Sequence, residues 1–255
     1  MNYKFKKKFD IESKVDLKKQ SHTAKKSLEI PVETIPVQTI PVQRSPVSAR
    51  RFSRAFYLQH SPIVAREILG AYLHRVIGGE ELIGKIVETE AYGVGDAACH
   101  AFRGKTPRNA IMFDEGGFSY IYFTYGMHFC FNISTNVAGI AEAVLIRAVE
   151  PVAGIERMRA MRPKARADRE LTSGPGRLCQ AFGLTREQNA IDLINSSELF
   201  ITRGQPVAAN LIGVSTRIGI NVAQDFPWRF FIKENEYVSR AKPSVPGKII
   251  VRRRT

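Results

Sequence analysis

The hydrophobic pattern splits the chain into an opening stretch with no period and a long remainder that switches between helix and strand spacing. SPIVAREILG, residues 61–70, reads as a helix: Ser61 can cap it, Pro62 suits the first turn and Gly70 the stop. AYLHRVI, the pair Gly78-Gly79 and ELIGKIVETEAY then read as a β-hairpin. GFSYIYFTYG (117–126) is an aromatic, β-branched strand ending in a turn, and HFCFNIS (128–134) pairs with it as a second hairpin. EAVLIRAVEP (142–151) reads as a buried strand stopped by Pro151. Helices are predicted at 153–162 and 176–182, the second closed by Gly183. Short strands and loops fill the rest. Strands and helices interleave but hairpins dominate. The pattern predicts an α/β (α+β) fold: one mixed domain over residues 51–255, with a curved, mainly antiparallel sheet and peripheral helices.

Residues 1–29 are polar and Lys-rich, and IPVET, IPVQT, IPVQR and SPV follow over 30–47. A proline every five residues forbids a helix, so residues 1–50 read as a disordered or extended arm. Its uses range from weak tethering to DNA to none at all. The net charge is +14. Residues 1–54 hold thirteen Lys/Arg against five Asp/Glu, so the folded remainder is basic as well. Phosphate backbone is the commonest partner for such a balance.

The mean hydropathy of −0.17 fits a soluble core plus polar chain, and no apolar run has the roughly 18 residues of a membrane span. The Lys-rich start has no apolar segment behind it, which argues against a secretory signal, and Asp10, Glu12 and Asp16 argue against a transit peptide. Cys99, Cys130 and Cys179 form no CxxC pair and read as reduced thiols rather than a zinc site.

Chemistry concentrates in three places. In ELIGKIVETEAY, alternation puts Gly84, Ile86, Glu88 and Glu90 on one face. Carboxylates inside a sheet are costly unless paired or functional, so one of this pair is either a site residue or half of an ion pair. Arg147, inside AVLIRAV, needs a carboxylate partner of its own. The loop 93–117 carries His100, Arg103, Lys105, Arg108 and Asn109. Tyr120 and Tyr122 share one face of the aromatic strand, while Tyr125 stands at the hairpin tip beside Gly126, where a ring could wedge between base pairs. SGPGR (173–177) opens a helix with glycines and an arginine.

These segments occur in one order: VETEAY (87–92), His100, TPRNAIMF (106–113), YIYFTYGMHFCFNIS (120–134), VLIRAVEP (144–151) and ELTSGPGRLCQAFG (170–183). Together they resemble the 3-methyladenine DNA glycosylase family of the alkyladenine (methylpurine) type, over residues 54–251. The resemblance implies a curved antiparallel sheet with a basic DNA face. It implies that Glu90 positions and deprotonates the attacking water, that Arg147 helps hold it, and that the backbone near Val144 lies close by. It places Tyr92, His100, Tyr122 and Asn132 around the flipped base, with Asn132 screening against guanine's exocyclic amine, and Tyr125 as the wedge. Arg103, Arg108 and Arg177 are the candidates for DNA backbone contact. The loop GVGDAAC (93–99) and the pair Phe123-Thr124 depart from the family's usual pattern.

The implied reaction is base-excision repair: hydrolysis of a purine–C1′ bond in double-stranded DNA, on lesions of the 3-methyladenine, 7-methylguanine or hypoxanthine kind, leaving an abasic site. No cofactor and no metal are called for. With no lysine placed for a Schiff base, a monofunctional glycosylase is expected, acting as a monomer. The compartment is cytoplasm and nucleoid in a bacterium, or a nucleus in a eukaryote. The alternative on the same fold is a non-catalytic DNA-damage-binding protein. A zinc deaminase lacks its HxE and PCxxC here, and an RNA-binding module lacks its aromatic motifs. The enzymatic reading requires Glu90 to adjoin the basic face rather than sit in a closed internal ion pair.

Overall fold

The computed structural model describes residues 51–124 and 126–240, all within one compact unit. The arm over residues 1–50, the wedge candidate Tyr125 and the basic end at 252–254 lie outside the described residues.

Two short helices, α1 (Arg54–Tyr57) and α2 (Ser61–Glu67), lead into β1 (Tyr72–Ile77) and β2 (Glu80–Tyr92). The hairpin β3 (Ser119–Thr124) and β4 (His128–Thr135) follows, then β5 (Glu142–Ala153). Helices α3 (Ile155–Met161), α4 (Arg169–Thr172) and α5 (Pro175–Ala181) come next, and β6 (Leu199–Thr202), β7 (Ile212–Ser215) and β8 (Arg229–Ile232) complete the sheet. The strand order is β3-β4-β5-β2-β1-β6, with β8 also on β2 and β7 on β8. Every pairing is antiparallel. The architecture is therefore the mixed α/β fold with a curled antiparallel sheet that the pattern predicts.

Both predicted hairpins form. Gly78 and Gly79 have φ of 60° and 86°, which a two-residue turn matched to strand twist demands and which side chains resist. β2 is long because it serves two partners in succession on one edge. Residues 80–85 pair with β1, and residues 88–90 pair with β8. On its other edge β5 runs almost the full length. The apolar core collects Ile68, Leu73, Ile86, Val149, Phe131 and Phe182 from α2, the central strands and α5. Gly84 lets β5 and α5 close on β2: a Cβ there would lie 2.5 Å from Val149 and 3.0 Å from Phe182.

Three local expectations change. Ser61 is the first residue inside α2 rather than its cap, and its hydroxyl makes no cap bond. Its free amide is instead met by the Glu142 carboxylate on β5, 2.8 Å away, a negative group where the helix N-terminus favours one. Pro151 does not stop β5, which runs on to Ala153. Pro151 faces Gly84 where the register with β2 shifts, and at such an irregularity a missing N–H is tolerated. Strict alternation along β2 also fails, because the register shifts again between Ile86 and Glu88 and between Glu88 and Thr89. Ile86 and Ala91, which alternation puts on opposite faces, consequently join the same core.

Candidate functional site

The bulged end of β2 is where the chemistry gathers. Glu88 and Glu90 stay on one side and both are gripped by Arg147 of β5. Arg147 Nε lies 2.9 Å from Glu88 Oε1, and its Nη1 lies 3.1 Å from Glu90 Oε2. Both carboxylates are fully buried. Burial opposes the charge on Arg147, but Glu90 and Glu88 beside it more than restore it and hold its pKa above the ordinary range.

Glu88 is closed off by four donors. Besides Arg147 it accepts from Arg229 Nε at 2.8 Å, from the Ser239 amide at 2.7 Å and from the Ser239 hydroxyl at 2.8 Å. Burial pushes its carboxyl up, yet Arg147, Arg229 and Ser239 together hold it below the usual carboxylate value. Glu90 accepts from Arg147, from the Tyr92 hydroxyl at 2.9 Å and from the Ile218 amide at 2.7 Å. Burial, then the neighbouring Glu90 charge, lifts the Tyr92 phenol well above its usual range, so it stays protonated and donates. Val144 sits in the core, and its backbone is shared between Ala91 of β2 and Ile133 of β4. The main chain that reaches Glu90 is that of Ile218.

Tyr92 turns its ring into an aromatic slot. Tyr92, His100, Tyr122 and Asn132, four residues singled out in the sequence, line it together with Ala98, Met112, Tyr120 and Ala143. The cavity is about 30 Å³, room for a water. His100 lies edge-on to Tyr122, ring centres 4.3 Å apart, and its Nδ1 is 2.8 Å from the Tyr120 hydroxyl. Burial, helped by Arg108, pushes the His100 imidazole below its ordinary value and keeps it neutral. Asn132 is anchored by its amide NH2, which donates to the carbonyls of Tyr120 and Cys130 at 3.0 and 3.3 Å. Asn109 explains the TPRN segment: its side chain ties together the carbonyls of His100 and Gly104 and the amide of Thr106, fixing the loop that carries His100.

Tyr120 belongs to this site although it was not among the candidates; its shared face with Tyr122 in the alternation was the signal. Asp96 and Arg217 also belong, and only a departure in the loop 93–99 hinted at the first. They form a two-pronged pair in which both side chains have 0% exposure. Arg217 Nη2 donates to Asp96 Oδ1 at 2.8 Å, its Nη1 bonds Asp96 Oδ2, and its Cζ lies 4.6 Å from the centre of the Tyr92 ring.

The basic residues frame the other side. Arg147 opens onto a cavity of about 390 Å³ that Arg169, Arg177 and Arg240 also line. Arg177 borders in addition a groove of about 960 Å³ with His128, Arg162 and Lys164. Arg103 and Arg108 are exposed, and the Arg108 guanidinium lies 5.4 Å from the Tyr122 ring centre. Glu90 is thus ion-paired and buried, but its partners Tyr92 and Arg147 each line a cavity, one aromatic and one basic.

Comparison with known proteins supplies the class: this is a DNA glycosylase, a protein of DNA repair. More closely, the chain belongs to the methylpurine-DNA glycosylase family, whose model matches residues 55–236. It is similar to a protein of Carboxydothermus hydrogenoformans named "Putative 3-methyladenine DNA glycosylase", 52% identical over 187 residues, covering 73% of this chain and 97% of the relative. Proteins of the same name in Francisella tularensis and Burkholderia orbicola are each 46% identical, over 178 and 195 residues. These matches cover 69% and 75% of this chain and 92% of each relative.

Proposed function

We propose that this glycosylase flips an alkylated or deaminated purine out of duplex DNA and hydrolyses its bond to the sugar with a water activated by Glu90. One observation carries the reading: a single carboxylate bonds both to Tyr92, a wall of the aromatic slot, and to Arg147, a wall of the arginine-lined cavity. A duplex hides C1′, so the nucleotide has to leave the stack at a cost of about a few kcal/mol. Stacking on Tyr92 and Tyr122 returns roughly 1–3 kcal/mol per contact.

An alkylated purine such as 3-methyladenine is cationic. It leaves without protonation, and aromatic walls favour its charge. His100, held neutral, offers a hydrogen bond rather than a proton. Asn132, fixed by two bonds, cannot swing aside and crowds guanine's exocyclic amine. Tyr125 fills the gap left in the stack, while Arg103, Arg108 and Arg177 hold phosphates. Glu90 accepts three hydrogen bonds, and a carboxylate has about four acceptor sites, which leaves one for a water. Among the described residues no lysine lines the slot, so a Schiff base with the sugar has no donor there and the enzyme acts as a monofunctional glycosylase.

The full burial of Glu90 favours a second reading, a damage-binding protein of the same fold without catalysis. Duplexes carrying 3-methyladenine, 7-methylguanine or hypoxanthine separate the two. The first reading expects free base in solution and an abasic strand that stays intact until treated with alkali. Tight lesion binding with no free base establishes the second, and strand cleavage at the lesion without alkali rules out monofunctional action.

A further inference from the structure

Arg217 lies outside the ring of residues that line the slot, yet it is bonded on either side of Tyr92, to Ala91 and to Asp96. It is fully buried and bridges three stretches of chain. On β2 its Nη1 donates to the Ala91 carbonyl, between Glu90 and Tyr92, at 3.0 Å. In the loop 93–99 it grips Asp96 with both prongs of its fork. In its own loop its Nη2 donates to the Ala223 carbonyl at 3.0 Å. Ala223 has φ of 48°, a left-handed conformation that costs a side-chain-bearing residue energy and persists only where surrounding bonds enforce it. Asp96 in turn accepts from the amide of Ala98, a slot-lining residue, at 3.0 Å.

The next residue completes the pattern. Ile218 follows Arg217 directly, and its amide donates to Glu90 Oε1 at 2.7 Å. The two residues therefore act on neighbours in β2. Ile218 aims a hydrogen bond at the carboxylate, and Arg217 backs the Tyr92 ring with a guanidinium 4.6 Å from its centre. A charge at full burial is expensive unless paired, and breaking such a pair by removing one member is far worse than replacing both. An uncharged residue would fill this space at lower cost if filling were its whole purpose. What a fork adds is direction, with several fixed N–H vectors in one plane.

We propose that the Asp96–Arg217 pair is the positioning device of the active site: it locks the loop from Arg217 to Ala223 so that the Ile218 amide meets Glu90 and the Tyr92 ring keeps its height. The proposal rests on Glu90 being the base. The groups facing Glu90 are Arg147 from β5, Tyr92 from its own strand, Tyr122 from β3, Cys130 from β4 and Arg217 from the loop, with Glu88 across Arg147. Of the three hydrogen bonds that Glu90 accepts, from Arg147, Tyr92 and the Ile218 amide, the one from Ile218 comes from the loop. A donor to the ionised carboxylate stabilises the form that acts as base, so losing it weakens that form.

The test compares the full-length wild type with Asp96→Asn/Arg217→Gln, which removes both charges together and leaves an uncharged polar side chain at each position, and with Arg217→Lys. Single-turnover release of 3-methyladenine is followed from pH 4 to 9, together with the melting temperature and the affinity for undamaged duplex. The double variant is expected to fold, to bind undamaged DNA within about twofold of wild type, and to lose about tenfold or more in release rate. The acidic limb of its pH–rate profile moves to higher pH, because the base form has lost a donor. Arg217→Lys keeps the charge but loses the fork, and is expected to fall between the two. A folded double variant with wild-type rate overturns the proposal, as does a rate loss that leaves the acidic limb in place. If the double variant fails to fold, Arg217→Lys decides on the same two readouts. If the wild type itself releases no base, the parent reading has failed instead.

Discussion

Glu88 and Glu90 stand two residues apart on one strand, equally buried and sharing one arginine, yet they face different futures. Glu88 is surrounded by four donors, two of them guanidinium N–H groups, and every one belongs to the structure. Glu90 shares Arg147, but its other partners are a slot tyrosine and a loop amide. Burial is therefore the same for both and marks neither as functional. The difference lies in what the partners touch next: both carboxylates reach the basic cavity, through Arg147 and for Glu88 also through Ser239, but Glu90 is bonded through Tyr92 to the aromatic slot as well, whereas Glu88 ties β2 to β5, β8 and the segment around Ser239.

If that contrast is right, the two carboxylates fail in different ways. The largest effect belongs to Glu90→Gln, which is expected to lower base release on the order of 10³-fold. Glu88→Gln is expected to cost about 3–5 kcal/mol of stability, read from urea unfolding, because Arg229 is left buried without its carboxylate. The pH dependence sharpens this prediction. The folded Glu88 pKa lies below its ordinary value of 4.5, so its contribution is present above that pH and is lost as pH falls through the folded pKa. The stability gap between wild type and Glu88→Gln is therefore expected to be constant at neutral pH and to shrink below about 4.5. A gap that widens in acid breaks the comparison.

Smaller effects come from the two sides of the site. Alanine at Arg103, Arg108 or Arg177 is expected to weaken binding to all duplexes alike and to reduce the steepness of its salt dependence by about one phosphate contact each. A loss confined to lesion duplexes assigns that arginine to the slot instead, with Arg108, above Tyr122, the one to watch. The smallest effect is the titration of His100 itself. Its imidazole is expected to protonate below 6.5 in the folded chain, seen by NMR, so stability linked to it falls as pH drops below that value. A midpoint above 6.5 removes the neutral hydrogen-bond partner from the slot.

How much of this was legible in the sequence depended on distance along the chain. Hairpins with a two-glycine turn or an aromatic strand announce themselves, because side-chain alternation and turn chemistry are local. Arg147 was expected to find a carboxylate because a charge inside an apolar strand has no other option. The bulge in β2 was hidden, since nothing in ETEAY says that pairing with β5 slips there. Pro151 misled, because a residue that lacks an N–H ends a regular strand but is tolerated at a register shift. Glu142 as the support for α2, and Asp96 with Arg217, were illegible for a common reason. Their partners lie 81 and 121 residues away, and no periodicity connects them. The slot residues Tyr92, His100 and Asn132 came from resemblance to a family rather than from spacing. Tyr120 and Tyr122 alone showed their common face.

The central claim is that a carboxylate in a buried ion pair still activates water. It is tested most directly by mixing excess Glu90→Gln protein with a duplex carrying one 3-methyladenine and measuring free base released per bound lesion in a single turnover. The expected result is lesion binding close to wild type with release slowed on the order of 10³-fold. Release within about tenfold of wild type would show that the water is activated elsewhere, and that Glu90, like Glu88, serves only the fold.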